Sequence, residues 1–393
     1  MAPQPATHRR TVCIDCRYIR ERPSGIGAIV QALVDRIPGW APDLDFVLLK
    51  HPNGPRRLSR EPNTRDVVVP REANGPATLF WLPAIVDLRH VDLFHCPFNL
   101  LPHWLRMPTV VTVCDVMWLT NPGWARAPGW WGLVERVFYR HGIRRALSRA
   151  TRIIAISHAT RSEILSLSGA AAERTRVVLE GVSEDFRMLE GEEREEAVRA
   201  ACARHLGGVA SYVLTVGQYA RYKNHETVVR AFARAFRDDP RVHLALVHRL
   251  GDGERVLRPL ARSLGNEDRV HFLHDVPFRD LVALYNGAIA LCHPSLVEGF
   301  GNPPCEAMAC GCPVITSNRS SMPEVSGVAA LLVDPEDVAD VASALRRVAC
   351  EPGLAESMRN RGLQRAKELT WRACAEGTLA VYREALGMVG GTG

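Results

Sequence analysis

The chain is predicted to be an α/β protein built from two doubly wound parallel-sheet domains, on three observations. Its 393 residues favour two domains over one. Short apolar runs alternate with helix-like segments in both halves, the pattern of parallel sheets covered on both faces. Between the halves, Gly181 to Gly208 turns rich in Glu and Arg and then Ala, which reads as a connector carrying a helix.

In the first half, Val12 to Asp15 reads as a strand. Ser24-Gly25-Ile26-Gly27 follows as a glycine turn, and Ala28 to Arg36 as a helix. Phe46 to Leu49 and Val67 to Val69 are short strands, separated by a surface loop rich in Pro, Asn and Arg. Thr78 to Leu88 suits a helix; Val91 to His95, Thr109 to Val113 and Arg152 to Ile156 suit strands. Ser157 is placed to cap a helix through about Leu165, and Val177 to Leu179 is a further strand.

The second half starts with a strand over Tyr212 to Val216 and a helix over Glu226 to Phe236. Strands over Val242 to Val247 and Val270 to Leu273 follow, then a helix around Leu281 to Tyr285. Ala288 to Cys292 is a buried strand that runs into the most informative stretch, His293 to Pro313. There Gly299-Phe300-Gly301 is a loop before a short helix, with Asn302 as expected N-cap, Pro303 in the first turn and Gly311 as the stop. A glycine loop at a helix N-terminus offers free backbone N–H groups and binds anions, phosphate above all. Glu298 and Glu306 bracket the loop, and Glu306 is one residue too far from Asn302 for a reciprocal capping box. The plain alternative is a strand–loop–helix joint with two solvated acids. Val314 to Thr316 and Leu331 to Val333 are strands; helices follow over about Pro335 to Cys350, Gly353 to Leu369 and Trp371 to Leu386.

Composition narrows the function classes. A net charge of +6 with plentiful acids is too mild for nucleic acid, and suits an anionic small ligand or an anionic membrane surface. Met1 to Arg10 lacks the apolar core of a signal peptide, and no apolar run approaches the ~20 residues that span a bilayer. Eleven cysteines, several within apolar strands, fit a reduced, cytoplasmic protein. Cys13 and Cys16 have Cys-x-x-Cys spacing, but alternation along a strand sends them to opposite faces, so no metal site is expected.

Four further groups carry chemistry. Gly217 at a strand end, then Arg221, Lys223 and Asn224 before a helix, suits a diphosphate; the alternative is a solvated basic loop. Gly25-Ile26-Gly27 is either a second anion-friendly turn or a plain one. Val110 to Asp115, with His95 on the strand before it, places polar groups for a sugar or an acceptor hydroxyl, unless His95 is a satisfied buried histidine. Trp124 to Ala150 carries Trp130 and Trp131, with Arg136, Arg140 and Arg144 recurring every four residues. That segment is either an ordinary amphipathic helix with a solvated Arg face or a helix lying on an anionic membrane.

Taken together, the chain resembles glycosyltransferase family 4, retaining enzymes of the GT-B fold with two Rossmann-like domains facing across a cleft. Glu298-Gly-Phe-Gly-Asn-Pro-Pro-Cys-Glu306 fits the family's Glu-x7-Glu pattern, followed by Ala307 to Ile315 and by Ser321-Met322-Pro323-Glu324-Val325. Lys223-Asn224 matches its donor-phosphate segment and Ser24 to Gly27 its N-terminal glycine loop, and the whole looks most like the bacterial mannosyltransferase branch. The resemblance implies an acceptor-binding domain over 1–185, a linker over 186–208, a nucleotide-sugar domain over 209–370, and a helix over 371–393 crossing back to the first domain. It implies that Glu298 faces the donor sugar, with Asp115, Lys223 and Arg221 also in the catalytic set. Gly27, Gly217, Gly299, Phe300, Gly301 and Asn302 would line the donor, Glu306 would hold the ribose hydroxyls, and Lys223 and Arg221 would neutralise the diphosphate. His95, Cys114 and Asp115 would lie on the sugar or acceptor side.

Three positions depart from the family: Cys114 stands where many relatives have His, Gln218 where many have Arg, and Asn302 where an apolar residue is usual. The implied reaction needs no cofactor or metal, only a nucleotide diphosphate sugar, GDP-mannose first and a UDP-sugar second. The implied acceptor is a glycan or lipid-linked intermediate at the inner membrane face, with residues 124–150 against anionic lipid. Rival readings are a UDP-sugar transferase to a small metabolite, a sugar-nucleotide epimerase, a pyridoxal-dependent phosphorylase, or a non-catalytic nucleotide-sugar-binding partner. Base contacts are expected near His248–Gly251 and His274–Pro277.

Overall fold

The structure is a computed structural model and describes residues 9–20, 25–124, 130–247 and 251–388. Its contacts fall into two compact units, Met1–Gly181 with Trp371–Gly393, and Val182–Thr370.

The first unit has seven strands: β1 (Arg10–Asp15), β2 (Leu44–Lys50), β3 (Thr64–Val68), β4 (Leu93–Cys96), β5 (Thr109–Val113), β6 (Arg152–Ala155) and β7 (Thr175–Val177). All pair in parallel, in the order β3-β2-β1-β4-β5-β6-β7. Its helices are α1 (Gly25–Val34), α2 (Ile37–Trp40), α3 (Pro76–Ile85), α4 (Met117–Thr120), α5 (Trp130–Arg149) and α6 (His158–Leu167). Strand alternation splits the core in two. Cys13, Val47, Phe94, Val111 and Ile153 pack on one face of the sheet. Val12, Ile14, Phe46, Leu48, Val110 and Ile154 pack on the other. Cys13 and Cys16 fall in different clusters and both are free thiols, as alternation predicts. Ser157 caps α6 by accepting from the Thr160 N–H at 2.9 Å.

The glycine turn expected at Ser24 to Gly27 takes another form. Gly25, Ile26 and Gly27 already belong to α1, so the helix starts three residues before the expected Ala28. Ser24 lies outside the described residues.

The second unit has six parallel strands: β8 (Tyr212–Val216), β9 (His243–Val247), β10 (Val270–Leu273), β11 (Ala290–His293), β12 (Val314–Ser317) and β13 (Ala330–Val333). Their order is β10-β9-β8-β11-β12-β13. Its helices are α7 (Gly191–Leu206), α8 (His225–Ala235), α9 (Gly253–Ser263), α10 (Phe278–Gly287), α11 (Asn302–Ala309), α12 (Met322–Ser326), α13 (Val338–Cys350) and α14 (Leu354–Glu368). The last helix, α15 (Trp371–Ala385), belongs to the first unit and buries Cys374, Leu379 and Tyr382 in the cluster of Val12 and Ile14.

The stretch 186–208 is not a free connector. It folds into the second unit, where α7 packs on α10. The Leu189 N–H donates to Asn286 Oδ1 at 2.8 Å, and Arg194 donates to the Asn286 carbonyl at 2.9 Å. Helix α9 was not foreseen, because Pro259 interrupts its polar sequence.

The strand order in the second unit reverses between β8 and β11, which lie side by side in parallel. Chains leaving two such strands depart to opposite faces of the sheet and open a crevice at their carboxyl ends, where ligands of open α/β sheets bind. The Lys223 turn follows β8 and the Glu298 loop follows β11.

Candidate active site

The two loops at that reversal are stitched together by the backbone. The Leu296 N–H donates to the Tyr222 carbonyl at 2.7 Å. Asn224, in a left-handed conformation at φ 60, donates its amide to the carbonyls of Pro294 and Pro335 at 3.1 and 2.6 Å. Gly217 at φ +148 supplies the backbone bend out of β8. The result carries Lys223 across to the β11 loop.

Lys223 Nζ meets Glu298 Oε1 at 2.7 Å, and both side chains are largely buried, 13% and 9% exposed. His293, the last residue of β11, brings Nε2 to the same oxygen at 3.0 Å. Ser295 Oγ lies 3.1 Å from that nitrogen. Burial pushes the Glu298 carboxyl up, but Lys223 and His293 outweigh it and hold it down at about 2. Burial likewise pulls the Lys223 ammonium down, and Glu298 more than restores it. Burial lowers the His293 imidazole below its usual value, so the ring is neutral at pH 7. An ionised carboxylate only accepts, so His293 must carry its proton on Nε2 and donate it to Glu298. Both donors converge on Oε1; Oε2 takes no hydrogen bond from the described residues.

The Gly299–Gly301 loop is held from beneath by two serines. The Glu298 N–H donates to Ser320 Oγ at 3.2 Å, and that hydroxyl donates back to the Glu298 carbonyl at 2.6 Å. The Ser321 hydroxyl is shared between the carbonyls of Glu298 and Phe300, at 3.0 and 2.8 Å. The Phe300 ring is buried. Gly301, not Asn302, is the N-cap of α11, at φ +111, and Asn302 is the first helical residue. Asn302 Oδ1 is buried and accepts no hydrogen bond, an orphaned acceptor at the mouth of the glycine loop.

Glu306 is reached from α10: the Tyr285 hydroxyl donates to its Oε2 at 2.8 Å. Burial raises its carboxyl to about 7, although Tyr285 and Lys223 both pull it back. One acid is therefore fully ionised at neutrality and the other is poised to change charge. Two carboxyls flanking one glycine loop whose titration is pushed in opposite directions make this a candidate site. Arg221 sits on the same turn as Lys223, but its side chain is exposed and forms no ion pair among the described residues. Gln218 donates to the Tyr222 hydroxyl at 3.1 Å.

His293, Tyr285 and Ser320 were not singled out by the sequence, and Ser321 was named only as the start of the Ser321–Val325 segment, with no role at the site. His293 had a usable signal, because it ends the strand that delivers Glu298 and begins the same stretch. Tyr285 and Ser320 arrive from other elements and leave no local trace.

In the first unit, Cys114 and Asp115 directly follow β5. Both are half-buried, with the Cys114 N–H on Asn99 Oδ1 at 2.8 Å and the Met117 N–H on Asp115 Oδ1 at 3.0 Å. Burial, Glu180 and Asp115 raise the Cys114 thiol well above its usual value, so it is a neutral thiol there. His95 is corrected. It is fully buried, with Nδ1 on the Tyr382 hydroxyl at 2.7 Å and Nε2 on Thr112 Oγ1 at 2.9 Å, and burial lowers it to about 3. It is a satisfied core histidine and presents nothing to an acceptor. Gly27 is buried within α1. Among the described residues, no group of three or more His, Cys, Asp or Glu side chains is arranged to hold a metal ion.

Helix α5 buries Gly142, Ile143, Ala146 and Leu147, while Trp130, Trp131, Leu133, Val134 and Val137 face outward. Of the arginine stripe, Arg144 is exposed and Arg136 and Arg140 are half-buried. The first turns therefore present an apolar surface rather than a solvated Arg face. No helix among the described residues is long and apolar enough to cross a membrane. Of the expected base-contact segments, 248–250 lies outside the described residues, and His274 pairs with Glu254 at 2.9 Å.

Comparison with known proteins bears on the family and the fold. The family described as "Glycosyl transferases group 1" matches residues 208–365, and "Glycosyltransferase Family 4" matches residues 24–186. O-antigen chain mannosyltransferase B of Escherichia coli is 30% identical over 297 residues, 74% of this chain and 74% of that protein. The D-inositol 3-phosphate glycosyltransferase of Thermobifida fusca (strain YX) is 32% identical over 247 residues, 60% of this chain and 56% of that protein. Among solved structures, sucrose-phosphate synthase from Thermosynechococcus elongatus superposes with a TM-score of 0.73 at 23% identity, covering 97% of this chain and 100% of that one.

Proposed function

This chain belongs to glycosyltransferase family 4, with the GT-B fold, and from that premise we propose that it moves a hexose, mannose first, from a nucleotide diphosphate sugar to a hydroxyl of a glycan or lipid-linked acceptor, with retention at the anomeric carbon. The observation that carries this reading is the Lys223–Glu298–His293 cluster beside the glycine loop at the sheet reversal. In the proposed reaction, the bond from C1 to the diphosphate oxygen breaks while the acceptor oxygen bonds to the same face of C1. The acceptor proton passes to the departing phosphate oxygen. The protein supplies position and charge.

Glu298 Oε2 accepts from a sugar hydroxyl, because Oε1 already holds two protein donors. Lys223, with Arg221 on the same turn, neutralises the diphosphate without a metal ion. The N-terminus of α11 adds only ~0.3–1 kcal/mol when exposed and up to ~2 when partly buried, so the cations dominate. Glu306 takes the ribose hydroxyls, whose O–H donation to the carboxylate favours its ionised form over the raised value that burial gives it. Similarity to the E. coli mannosyltransferase favours mannose as the sugar; the proposed donor is GDP-mannose, with a UDP-sugar second. The D-inositol 3-phosphate relative supports a second reading, a small phosphorylated polyol as acceptor. For the polymer acceptor, the proposed reaction runs at the inner membrane face; the outward apolar residues in the first turns of α5 support contact with anionic lipid there.

The test is product analysis. Chelator-treated protein incubated with GDP-mannose and acceptor extracts is expected to release GDP and give an α-linked product by NMR. Inversion to a β-linkage, or a strict metal requirement, would contradict the proposed route.

A further inference from the structure

The first unit carries a groove that the donor chemistry does not use. It runs between α3 and the 104–107 segment, with a volume of about 1120 Å³, and is walled by Trp81, Ile85, Trp104 and Met107. Its floor is made by buried Val86 and Leu88. The two indoles at its rim are 59% and 74% exposed. Trp104 is held at φ 65, a left-handed backbone that a residue with a bulky side chain adopts only under constraint. The segment is pinned where it stands: the His103 N–H donates to the Leu79 carbonyl at 2.7 Å, and the His103 ring stacks on Phe80 at 5.3 Å and on His141 of α5 at 5.3 Å. The fold thus spends backbone strain to hold an indole out in water.

Charge identifies the occupant. Arg106 lies at the groove's mouth, exposed and without an ion pair among the described residues. Arg89 shares the mouth and is already bound to Asp87 through two hydrogen bonds, at 2.9 and 2.7 Å. Beyond His103, a second depression is lined by His141, Arg144, Arg145 and Arg149, with no acid among its lining residues. An apolar trough with tryptophans at its rim and arginines around it has the chemistry of a bilayer interface: rings at headgroup depth, apolar surface below, and cations on phosphate. A second copy of the chain would bring arginine against arginine across a two-fold contact, so charge disfavours that occupant.

We propose that this groove seats an acyl chain of an anionic phospholipid at the bilayer surface, with Arg106 on its phosphate and Trp81 and Trp104 at the headgroup boundary. The proposal rests on the membrane part of the reading above and is independent of the donor site.

The full chain would be floated with vesicles of phosphatidylglycerol and phosphatidylcholine, and with phosphatidylcholine alone. Wild type is expected to bind the anionic vesicles at least ~10-fold more tightly. The exposed-site variant W81A/W104A and, separately, R106E should each lose about tenfold or more in that affinity. Phosphatidylglycerol brominated along its chains should quench wild-type tryptophan fluorescence, and quench Trp104→Phe less. Anionic-vesicle binding by W81A/W104A equal to wild type, or no difference in quenching, would overturn the proposal. So would a concentration-dependent dimer abolished by W81A/W104A, which would assign the groove to a second copy. Nucleotide-sugar binding on the same proteins reports the donor reading by itself: its absence from wild type would count against that reading alone.

Discussion

Replacing Lys223 by methionine keeps the side-chain stem and removes the cation that faces Glu298 at 2.7 Å. The Glu298 carboxyl is held at about 2 against an ordinary 4.5, so the net stabilisation of its charged form is ~3 kcal/mol, with Lys223 the largest favourable contributor. K223M leaves a buried carboxylate with only His293, and should therefore lower stability at pH 7 by about 3 kcal/mol, within the range for breaking a buried pair. For a unit of this size that is a fall of roughly 6–12 °C in Tm. The pH dependence has a definite sign. The folded pKa lies below the unfolded one, so the stabilisation is whole above pH 4.5 and fades as pH falls toward 2. E298Q added to K223M removes the stranded charge and should restore most of the lost stability. It should not restore transfer activity, because the diphosphate still lacks its cation. Urea unfolding of the four proteins in the cycle measures the coupling. A coupling below about 0.5 kcal/mol would refute the pair as an energetic unit; wild-type turnover in K223M would remove Lys223 from the site.

Other expectations follow from the same contacts. H293A deletes one donor to Glu298 Oε1, so the acidic limb of the pH–rate profile should move upward and kcat/KM should fall about tenfold, the worth of one hydrogen bond to a charged group; H293Q, which keeps an N–H, should recover part of it, and an unmoved acidic limb would leave His293 with only a packing role. Glu306 is raised to about 7 from 4.5, so its ionisation costs stability as pH rises through that interval. E306Q should match wild type near pH 4.5 and be more stable by ~2–3 kcal/mol at pH 8, and a pH-independent difference in urea unfolding would contradict the assignment. Gly301 is at φ +111 and a Cβ there would sit 2.2 Å from Met322 Cε. The methionine tip can swing aside but the backbone cannot relax, so G301A should lose ~1–3 kcal/mol, and M322A should fail to rescue it.

Glu298, Glu306, Lys223 and the glycine loop were readable because each lies in a strand–loop–helix pattern that local sequence encodes. What stayed hidden is made by distance along the chain. The His95 side chain is closed off by Tyr382, 287 residues away, so its strand position alone left open both a contact to a sugar or acceptor and a satisfied buried histidine. Tyr285 reaches Glu306 from the preceding helix, which no spacing rule anticipates. The cap of α11 fell on Gly301 rather than Asn302 because the left-handed loop conformation suits glycine, and capping preference alone cannot see the loop. Gly25 and Gly27 read as a turn by propensity, yet both lie in α1, whose apolar residues Ile29, Val30 and Leu33 are buried in the core. The groove at Trp104 was also invisible: Trp81 and Trp104 meet only through tertiary structure.

The central claim is that the crevice at the β8–β11 reversal binds a nucleotide diphosphate sugar through Lys223, Glu298 and Glu306. Thermal unfolding of wild type and K223M with a panel of nucleotide sugars tests it most directly. GDP-mannose at about 100 times its Kd should stabilise wild type by ~2.7 kcal/mol, or roughly 5–11 °C, with UDP-sugars next and K223M showing little shift. No shift of wild type by any GDP- or UDP-sugar, or an equal shift in K223M, would contradict the claim.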